Sequence, residues 1–472
     1  MKKVLFTLIC IVPSLLWAQS GYRISGKFIG IKGGVCNLVL HYGKQYPIAD
    51  TSKIDEEGNF VFEGTKPLEQ GLYLIAFPGR GVEVIVTKEQ HFSVEVDTAR
   101  VVESIQVNGS PETQLYYEHH RTILALNKDF DKRLQEKGLV NRDLKDLAFK
   151  EEWGKIQEEL AKYLKKFFRK NSETFTAKLV RAYQDPDVPT LSKKGGGVDS
   201  LAMYYYGKAH YFDNIDFNDA RLLYSPVIEQ RLVKFVSTML YPTADSINAA
   251  ADYLLTKVND PKVRKYIVIF FSKKYEIPPT LGHDGIYTHV LEKYYLGEPT
   301  LWDSSTLVQV RRILKIQKPI LMGKIIPDII LQDTLNQSFN LHGIQAKYLV
   351  LFLYNPGCGH CKAAAPLMAA FYEKYKSKGI AVLAASVYNE EEPWRKFVRE
   401  QKIGNLLNGR DMLGIVDFEQ FNLLQFPMIY ILDKDKKIIA KYLQESQVEP
   451  LIDSFEREEA DRAKKAETKN GN

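Results

Sequence analysis

The sequence predicts a multidomain protein with an N-terminal all-β sandwich, a helical middle domain and a C-terminal α/β domain. Three patterns predict this order. Short alternating apolar and polar runs extend to about residue 109, apolar residues then recur at helical spacing to about 318, and from 319 strand-like runs alternate with helical ones. A chain of 472 residues is also too long for a single hydrophobic core.

The first 18 residues have the pattern of a signal peptide. Lys2 and Lys3 give a positively charged start, residues 4–17 are apolar, and the small residue Ala18 suits cleavage before the mature chain. The apolar run is too short to cross a membrane. We therefore expect an exported protein of the periplasm or cell envelope, with no transmembrane segment in the mature chain.

Residues 19–109 are predicted to form the β-sandwich. Turn signals such as Gly33-Gly34 and Pro78-Gly79 separate short alternating runs, a spacing typical of small sandwiches. The predicted strands are Tyr22–Ile31, Cys36–Tyr42, Asn59–Glu63, Leu72–Phe77, Val82–Thr87, His91–Asp97 and Ser104–Val107. This segment shows no catalytic constellation.

Residues 110–318 are predicted to form the helical domain. Two helix starts carry a capping residue followed by proline at the first helical position, at Ser225-Pro226 and Asp260-Pro261. One amphipathic stripe is formed by Leu144, Leu147, Trp153, Ile156, Leu160, Tyr163, Leu164 and Phe167.

Residues 319–458 are predicted to form the α/β domain, followed by a charged tail at 459–472. The strand-like runs are Tyr348–Tyr354, Ala381–Val387, Met428–Leu432 and Lys437–Tyr442. The helical runs are Lys362–Lys378, Glu391–Ile403 and Val448–Glu459.

Cys358 and Cys361 form a Cys-x-x-Cys motif between a predicted strand and a predicted helix. A helix N-terminus stabilises a thiolate through its dipole and its unpaired backbone N–H groups, and the thiolate is the nucleophile in disulfide exchange. We expect Cys358, at the end of the loop, to be exposed and to attack first. Cys361, one turn into the helix, is expected to be more buried and to resolve the mixed disulfide.

The remaining cysteines and the charge pattern limit the function further. Removal of the signal peptide leaves Cys36 as the one cysteine besides the pair. An exported protein stabilised by disulfide bonds would carry more cysteines. Cys36 is expected to be a small buried residue, with a regulatory or intermolecular thiol as the alternative. The net charge of +6 is small and not clustered, so nucleic-acid binding is not predicted. His283, Asp284 and His289 match no ligand spacing, so neither a metal nor another cofactor is predicted.

The last third of the chain resembles the thioredoxin fold and, within it, the TlpA/ResA-like exported thiol-disulfide oxidoreductases. The motif Cys358-Gly359-His360-Cys361, Pro366 in the following helix, and Phe426-Pro427 before a strand carry this resemblance. Residues 326–331 and 338–341 add a hairpin like the one that precedes the first main strand of redoxins. The resemblance implies a C-terminal α/β thioredoxin-like fold.

The resemblance also implies roles for the motif residues. Gly359 and His360 are expected to modulate the redox couple, because a protonated His360 stabilises the thiolate of Cys358 and so favours the reduced form. The Cys-Gly-His-Cys tetrapeptide is similar to that of protein disulfide isomerases, with potentials of roughly −180 mV against about −270 mV for thioredoxin. Phe426 and Pro427, with Pro427 in the cis form beside Cys358, are the expected substrate-binding residues. The implied partners are protein thiols and disulfides and a membrane-bound or periplasmic electron donor.

Three positions depart from the family pattern. Phe352 stands where thioredoxins carry a buried acid, Ala364 where many TlpA-like proteins have a glutamate, and Gly357 where a tryptophan often precedes the first cysteine. Proton transfer must then use water, His360 or another residue, and the direction of electron flow stays open.

Two other functions compete with disulfide exchange. A thiol-dependent peroxidase shares the overall fold, but Leu351 and Asn355 stand where peroxiredoxins carry the proline and threonine of their P-x-x-x-T-x-x-C pattern. The other alternative is an envelope binding or assembly protein in which the β and helical domains form the working surface and the redox domain is auxiliary.

Overall fold

The computed structural model describes residues 21–139, 141–277, 282–412, 421, 423 and 425–470, with the backbone alone at 463 and 465–470. The signal peptide expected at 1–18 lies outside these ranges. Within them, no helix is long and apolar enough to span a lipid bilayer. The chain divides into two compact units, one of residues up to 239 with 258–263, the other of 240–257 with residues from 264 onward. The domain boundaries at 109, 318 and 458 stay predictions.

The N-terminal part is built on β-strands, as predicted, and contains two four-stranded sheets. The strand order is β4-β1-β7-β8 in one sheet and β3-β2-β5-β6 in the other. The strands are β1 (Tyr22–Ile29), β2 (Val35–Leu40), β3 (Ile48–Lys53), β4 (Asn59–Gly64), β5 (Gly71–Phe77), β6 (Arg80–Val86), β7 (His91–Asp97) and β8 (Gln106–Asn108).

Alternating residues of these strands build the core of the β part. Phe28 of β1 and Phe60 of β4 are buried, and their rings stack with centroids 4.5 Å apart. Gly26 of β1 leaves room for this packing, because a Cβ there would lie 2.4 Å from the Phe60 ring. The alternation of apolar and polar residues in the sequence therefore corresponds to one buried face of these strands.

The middle part is helical, as predicted. Ser110 caps α2 by accepting a hydrogen bond from the N–H of Thr113, and α8 begins at Pro261, where the sequence places a helix start. One short helix, α1 (Val101–Ser104), lies before β8 in the β part. The helices of the middle part are α2 (Pro111–Glu136), α3 (Leu147–Asn171), α4 (Phe175–Tyr183), α5 (Ser200–His210), α6 (Val227–Lys234), α7 (Ala244–Thr256), α8 (Pro261–Tyr275), α9 (Asp284–Val290) and α10 (Ser304–Gln317).

The C-terminal part is an α/β domain built on a seven-stranded sheet of order β10-β9-β13-β12-β11-β14-β15. Its strands are β9 (Ile330–Gln332), β10 (Ser338–Asn340), β11 (Tyr348–Tyr354), β12 (Ile380–Ser386), β13 (Leu407–Arg410), β14 (Met428–Asp433) and β15 (Ile438–Lys441). Its helices are α11 (Gly359–Tyr375), α12 (Glu391–Glu400) and α13 (Glu445–Asn470). The last helix continues past Glu459, where the sequence pattern places its end.

Strand β11 is an interior strand of this sheet and leads into the Cys-x-x-Cys motif. It pairs in parallel with β12 and antiparallel with β14. Phe352 and Tyr354 belong to the core that packs against α11, whereas Leu351 and Leu353 belong to the core on the other face. A strand buried on both faces explains the unbroken apolar run in the sequence.

Candidate redox site

A short loop between β11 and α11 positions the first cysteine. Cys358 is the N-cap residue of α11, and its backbone N–H donates to the Asn355 carbonyl oxygen at 3.0 Å. The Asn355 side chain accepts a second hydrogen bond, 2.8 Å from the backbone nitrogen of Gly357. Asn355 thus holds the loop so that Cys358 lies at the positive end of the helix.

The Cys358 thiol is partly exposed and lies beside the loop that precedes β14. Its Sγ donates to the carbonyl oxygen of Phe426 at 3.6 Å, and the Phe426–Pro427 peptide bond is cis. Both Phe426 and Pro427 are partly exposed. The structure therefore places the predicted substrate-binding residues next to the predicted nucleophile.

Cys361 lies one turn further into α11 and is fully buried. Burial raises the pKa of the Cys361 thiol to about 12; the hydrogen bond with Cys358 adds to the increase, and the backbone N–H of Asn355 opposes it. Both cysteines of the motif are in the thiol form. The thiol of Cys358 is partly exposed, whereas burial keeps the thiol of Cys361 protonated one turn further into the helix.

The two residues between the cysteines are both exposed. A Cβ at Gly359 would meet no described atom within 4 Å, so packing does not require glycine there. His360 lies in the first turn of α11, where its side chain faces solvent. The modulating roles assigned to Gly359 and His360 stay predictions.

The core behind the motif is apolar at the two positions where the resemblance described above implies an acid. Phe352 and Ala364 are both buried and belong to the same hydrophobic cluster as Cys361. Neither side chain can accept or donate a proton. A proton donor or acceptor near Cys361 must come from a different position.

Cys36 lies in the first compact unit, on β2, and is fully buried. Burial raises its pKa to about 11, and its thiol lies 3.7 Å from the carbonyl oxygen of Ser52. This agrees with its interpretation as a small buried residue.

The sequence did not identify the roles of Asn355 and of the Phe426 carbonyl oxygen. The run Asn355-Pro356-Gly357 is a turn signal that favours such side chain–backbone bonds and could have indicated the first. The contact between Cys358 and Phe426 joins residues 68 positions apart, and local patterns carry no information about it.

Three segments of the chain match known families. Residues 22–116 match a domain of unknown function (DUF4369), residues 156–318 match a second one (DUF5106), and residues 322–451 match the AhpC/TSA family.

Curated relatives of the chain are thiol-disulfide oxidoreductases named ResA. A ResA protein from Bacillus cereus is 24% identical over 133 residues, which cover 28% of this chain and 74% of that protein. The protein from Bacillus subtilis (strain 168) is 24% identical over 133 residues, or 59% of its length.

Solved structures match the chain as well. A domain of a possible thiol-disulfide isomerase from Cytophaga hutchinsonii ATCC 33406 is 36% identical, with 30% of this chain and 96% of that chain covered and a TM-score of 0.29. A thioredoxin-like protein from Bacteroides caccae ATCC 43185 is 22% identical. The match covers 57% of this chain and 98% of that chain, with a TM-score of 0.46.

The AhpC/TSA match covers the seven-stranded domain that carries Cys358 and Cys361, and the ResA proteins are thiol-disulfide oxidoreductases. This kinship supports an oxidoreductase activity. The C-terminal part of this multidomain chain is therefore a thioredoxin-like domain of the AhpC/TSA family, related to the ResA thiol-disulfide oxidoreductases.

Proposed function

We propose that the protein is an exported thiol-disulfide oxidoreductase that exchanges disulfides with protein thiols through Cys358 and Cys361. The observation that carries the proposal is the asymmetry of the pair. Cys358 is partly exposed at the N-terminus of α11, and Cys361 is fully buried one turn behind it. A nucleophile and a resolving thiol need these two environments.

The reaction proceeds in two exchange steps. The Cys358 thiolate attacks one sulfur of a client disulfide, a mixed disulfide forms, and the other client sulfur leaves as a thiolate that takes up a proton. Cys361 then loses its proton and attacks the Cys358 sulfur, which releases the second client thiol and leaves the Cys358–Cys361 disulfide. The client gains two electrons and the protein loses two; the reverse sequence oxidises a client dithiol.

Phe426 and Pro427 supply the surface for the client. The Phe426 carbonyl oxygen lies 3.6 Å from the Cys358 sulfur, so a peptide strand whose cysteine reaches Cys358 also passes this backbone. Backbone hydrogen bonds there would hold a client without selecting its side chains. The β and helical parts are then available for client selection or for docking an envelope electron donor.

Single cysteine variants of the full chain test the proposal. Cys358→Ser should abolish reduction of insulin by dithiothreitol-reduced protein, whereas Cys361→Ser should accumulate mixed disulfides. Cys36→Ser is the matched control and should keep the activity of the unaltered chain. Insulin reduction by Cys358→Ser at the rate of the unaltered chain would contradict the dithiol mechanism. Consumption of hydrogen peroxide without insulin reduction would favour a peroxidase instead.

Export rests on the pattern of residues 1–18. Expression of the full chain in a Gram-negative host should place it in the periplasmic fraction, with its N-terminus at or near Gln19. Retention of an unprocessed chain in the cytoplasm would contradict export but not the exchange chemistry.

A further inference from the structure

His41, the residue after β2, carries a buried imidazole in the first compact unit. Its side chain is 7% exposed, and neither ring nitrogen has a hydrogen-bond partner among the described residues. Its backbone N–H donates to the carbonyl oxygen of Leu72 at 3.2 Å. Buried polar groups are normally hydrogen-bonded, so an imidazole with two unsatisfied nitrogens requires an explanation.

A carboxylate lies beside the His41 ring. Oε1 of Glu83, on β6, is 3.7 Å from Nε2 of His41, which is longer than a normal hydrogen bond. The other Glu83 oxygen accepts the hydroxyl of Tyr116 on α2, and the Glu83 backbone carbonyl oxygen accepts the hydroxyl of Tyr117 at 2.9 Å. The carboxylate next to the histidine therefore also joins the β part to α2.

A tight turn after His41 brings an aromatic ring against it. Tyr42 and Gln45 close the turn, because the backbone N–H of each donates to the carbonyl oxygen of the other at 3.0 Å and 2.9 Å. Tyr46 then lies over His41, with ring centroids 5.3 Å apart and planes at 72°. Tyr46 is 55% exposed. The histidine is therefore covered by a solvent-facing side chain on a short turn.

Opening of this turn changes the proton affinity of His41. Burial lowers the pKa of His41 from its ordinary value of 6.5, and the charge of Glu83 opposes this decrease in part. When the turn opens, the exposed ring regains its ordinary pKa. Between the two pKa values the open state holds more protons than the closed state, so the free energy of opening falls as the pH falls below about 6.5.

We propose that His41 is a pH-sensitive switch: its neutral ring stays covered by the β2–β3 turn at neutral pH, and its protonation in mild acid opens the turn. The proton comes from solvent and stays on the imidazole. Opening separates His41 from Glu83, and so links the pH of the surroundings to the residue that joins β6 to α2. The inference does not depend on disulfide exchange, because Cys358 and Cys361 lie in the second compact unit.

The other titratable groups of this region do not account for such a response. Burial raises the pKa of Tyr116 and of Tyr183 on α4, so both phenols keep their protons in mild acid. His119 on α2 is buried too, and burial lowers its pKa to about 4. Its Nδ1 lies 3.0 Å from the hydroxyl of Tyr163 on α3, so opening of the β2–β3 turn leaves it buried.

Hydrogen–deuterium exchange of the full chain, resolved by peptide mass spectrometry from about pH 5 to 8, tests the switch. The reporting amides are those of Leu40 and His41, which donate to the carbonyl oxygens of Pro47 and Leu72 at 2.9 Å and 3.2 Å. After division by the intrinsic rate at each pH, their exchange should rise below about pH 6.5 by up to about tenfold per pH unit. His41→Gln should remove this rise.

The opposite results are equally clear. A flat profile in the unaltered chain, an equal rise in His41→Gln, or slower exchange toward acid would overturn the proposal. His91→Gln is the matched control, because His91 is exposed on β7, and it should keep the profile of the unaltered chain. Glu83→Gln removes the opposing charge and should enlarge the rise; a smaller rise there would count against the proposal.

A direct titration needs no variant. Deuterium exchange at the imidazole C2 position, measured by mass spectrometry on the unaltered full chain, follows the protonation of each histidine. The midpoint for His41 should lie below that of exposed His91. A midpoint for His41 at or above that of His91 would mean that Glu83 stabilises the protonated ring in place, and would overturn the switch.

Discussion

Substitution of Asp284 by alanine should selectively destabilise the second compact unit. Asp284 begins α9, and its Oδ2 lies 2.7 Å from the Nζ of Lys441 on β15; the two side chains are 8% and 5% exposed. The same oxygen accepts the backbone N–H of Met322, and Lys441 donates to the Ile320 carbonyl oxygen at 2.7 Å. Asp284→Ala leaves the Lys441 ammonium buried without its carboxylate.

The size of the expected loss in stability follows from the burial of both Asp284 and Lys441. Removal of one member of a buried ion pair costs about 3–5 kcal/mol of the free energy of unfolding. For an m-value near 2 kcal/mol/M, the urea midpoint should fall by about 1.5–2.5 M. The double variant Asp284→Ala with Lys441→Met removes the unpaired charge as well and should recover most of this loss.

Thiol alkylation in urea measures each unit separately. In a Cys358→Ser background, alkylation of Cys361 reports opening of the second unit and alkylation of Cys36 reports opening of the first, since both thiols are buried. The Cys361 midpoint should shift and the Cys36 midpoint should shift much less. A Cys361 midpoint that is unchanged, or a double variant no more stable than Asp284→Ala, would refute the reasoning.

Deletion of all residues before 319 also removes Asp284 and would confound tests on the isolated redox domain.

Two further predictions concern the loop and the motif. His360→Pro should make the couple more reducing, by up to about 90 mV if the difference between isomerase and thioredoxin motifs transfers; a glutathione redox titration measures this, and an unchanged potential would contradict the role of His360. Asn355→Ala removes the acceptor for the Gly357 N–H and should slow alkylation of Cys358 by about 2- to 10-fold. Asn405→Ala, which removes a hydrogen bond to Glu373 instead, is the control, and equal effects of both variants would contradict a specific role for the loop.

The sequence predicted the strand, loop and helix that carry the two motif cysteines because the signals for these elements are local. The apolar run of β11, the cysteine spacing and the helical run after it lie within about thirty residues, and the observed α11 begins three residues before the predicted start. Strand β3 (Ile48–Lys53) was missed because it is at the edge of its sheet and carries one large apolar residue. The predicted strand at Ser104–Val107 is shorter, since Ser104 ends α1.

The helical part shows what spacing alone cannot predict. Leu147 and Trp153 of the expected apolar stripe are exposed, whereas Glu152 is buried, and its carboxylate lies 2.6 Å from Lys137 and 3.0 Å from Lys155. These hydrogen bonds lower the pKa of Glu152 to about 2.

The choice of buried face in α3 depends on α2, which supplies Lys137 at its C-terminal end. The pattern of α3 alone does not contain that information. The ion pair of Asp284 with Lys441 is equally non-local, because it joins residues that are far apart in the sequence.

The most direct test of the central claim compares the alkylation rates of the two motif thiols. At pH 7 a thiol of pKa about 12, as for Cys361, is ionised to about one part in 10⁵, against about 3% for an unperturbed cysteine. The more basic thiolate is intrinsically more nucleophilic by roughly a factor of 30–40, which offsets part of its lower abundance. The expected alkylation rates then still differ by about a hundredfold before burial is considered.

Iodoacetamide labelling of the reduced full chain, resolved by peptide mass spectrometry, measures both rates in one sample. Cys358 should react at least about a hundredfold faster than Cys361, and the difference should vanish in denaturant. Equal rates in the native protein, or faster labelling of Cys361, would contradict the assignment of Cys358 as the attacking thiol and Cys361 as the resolving one.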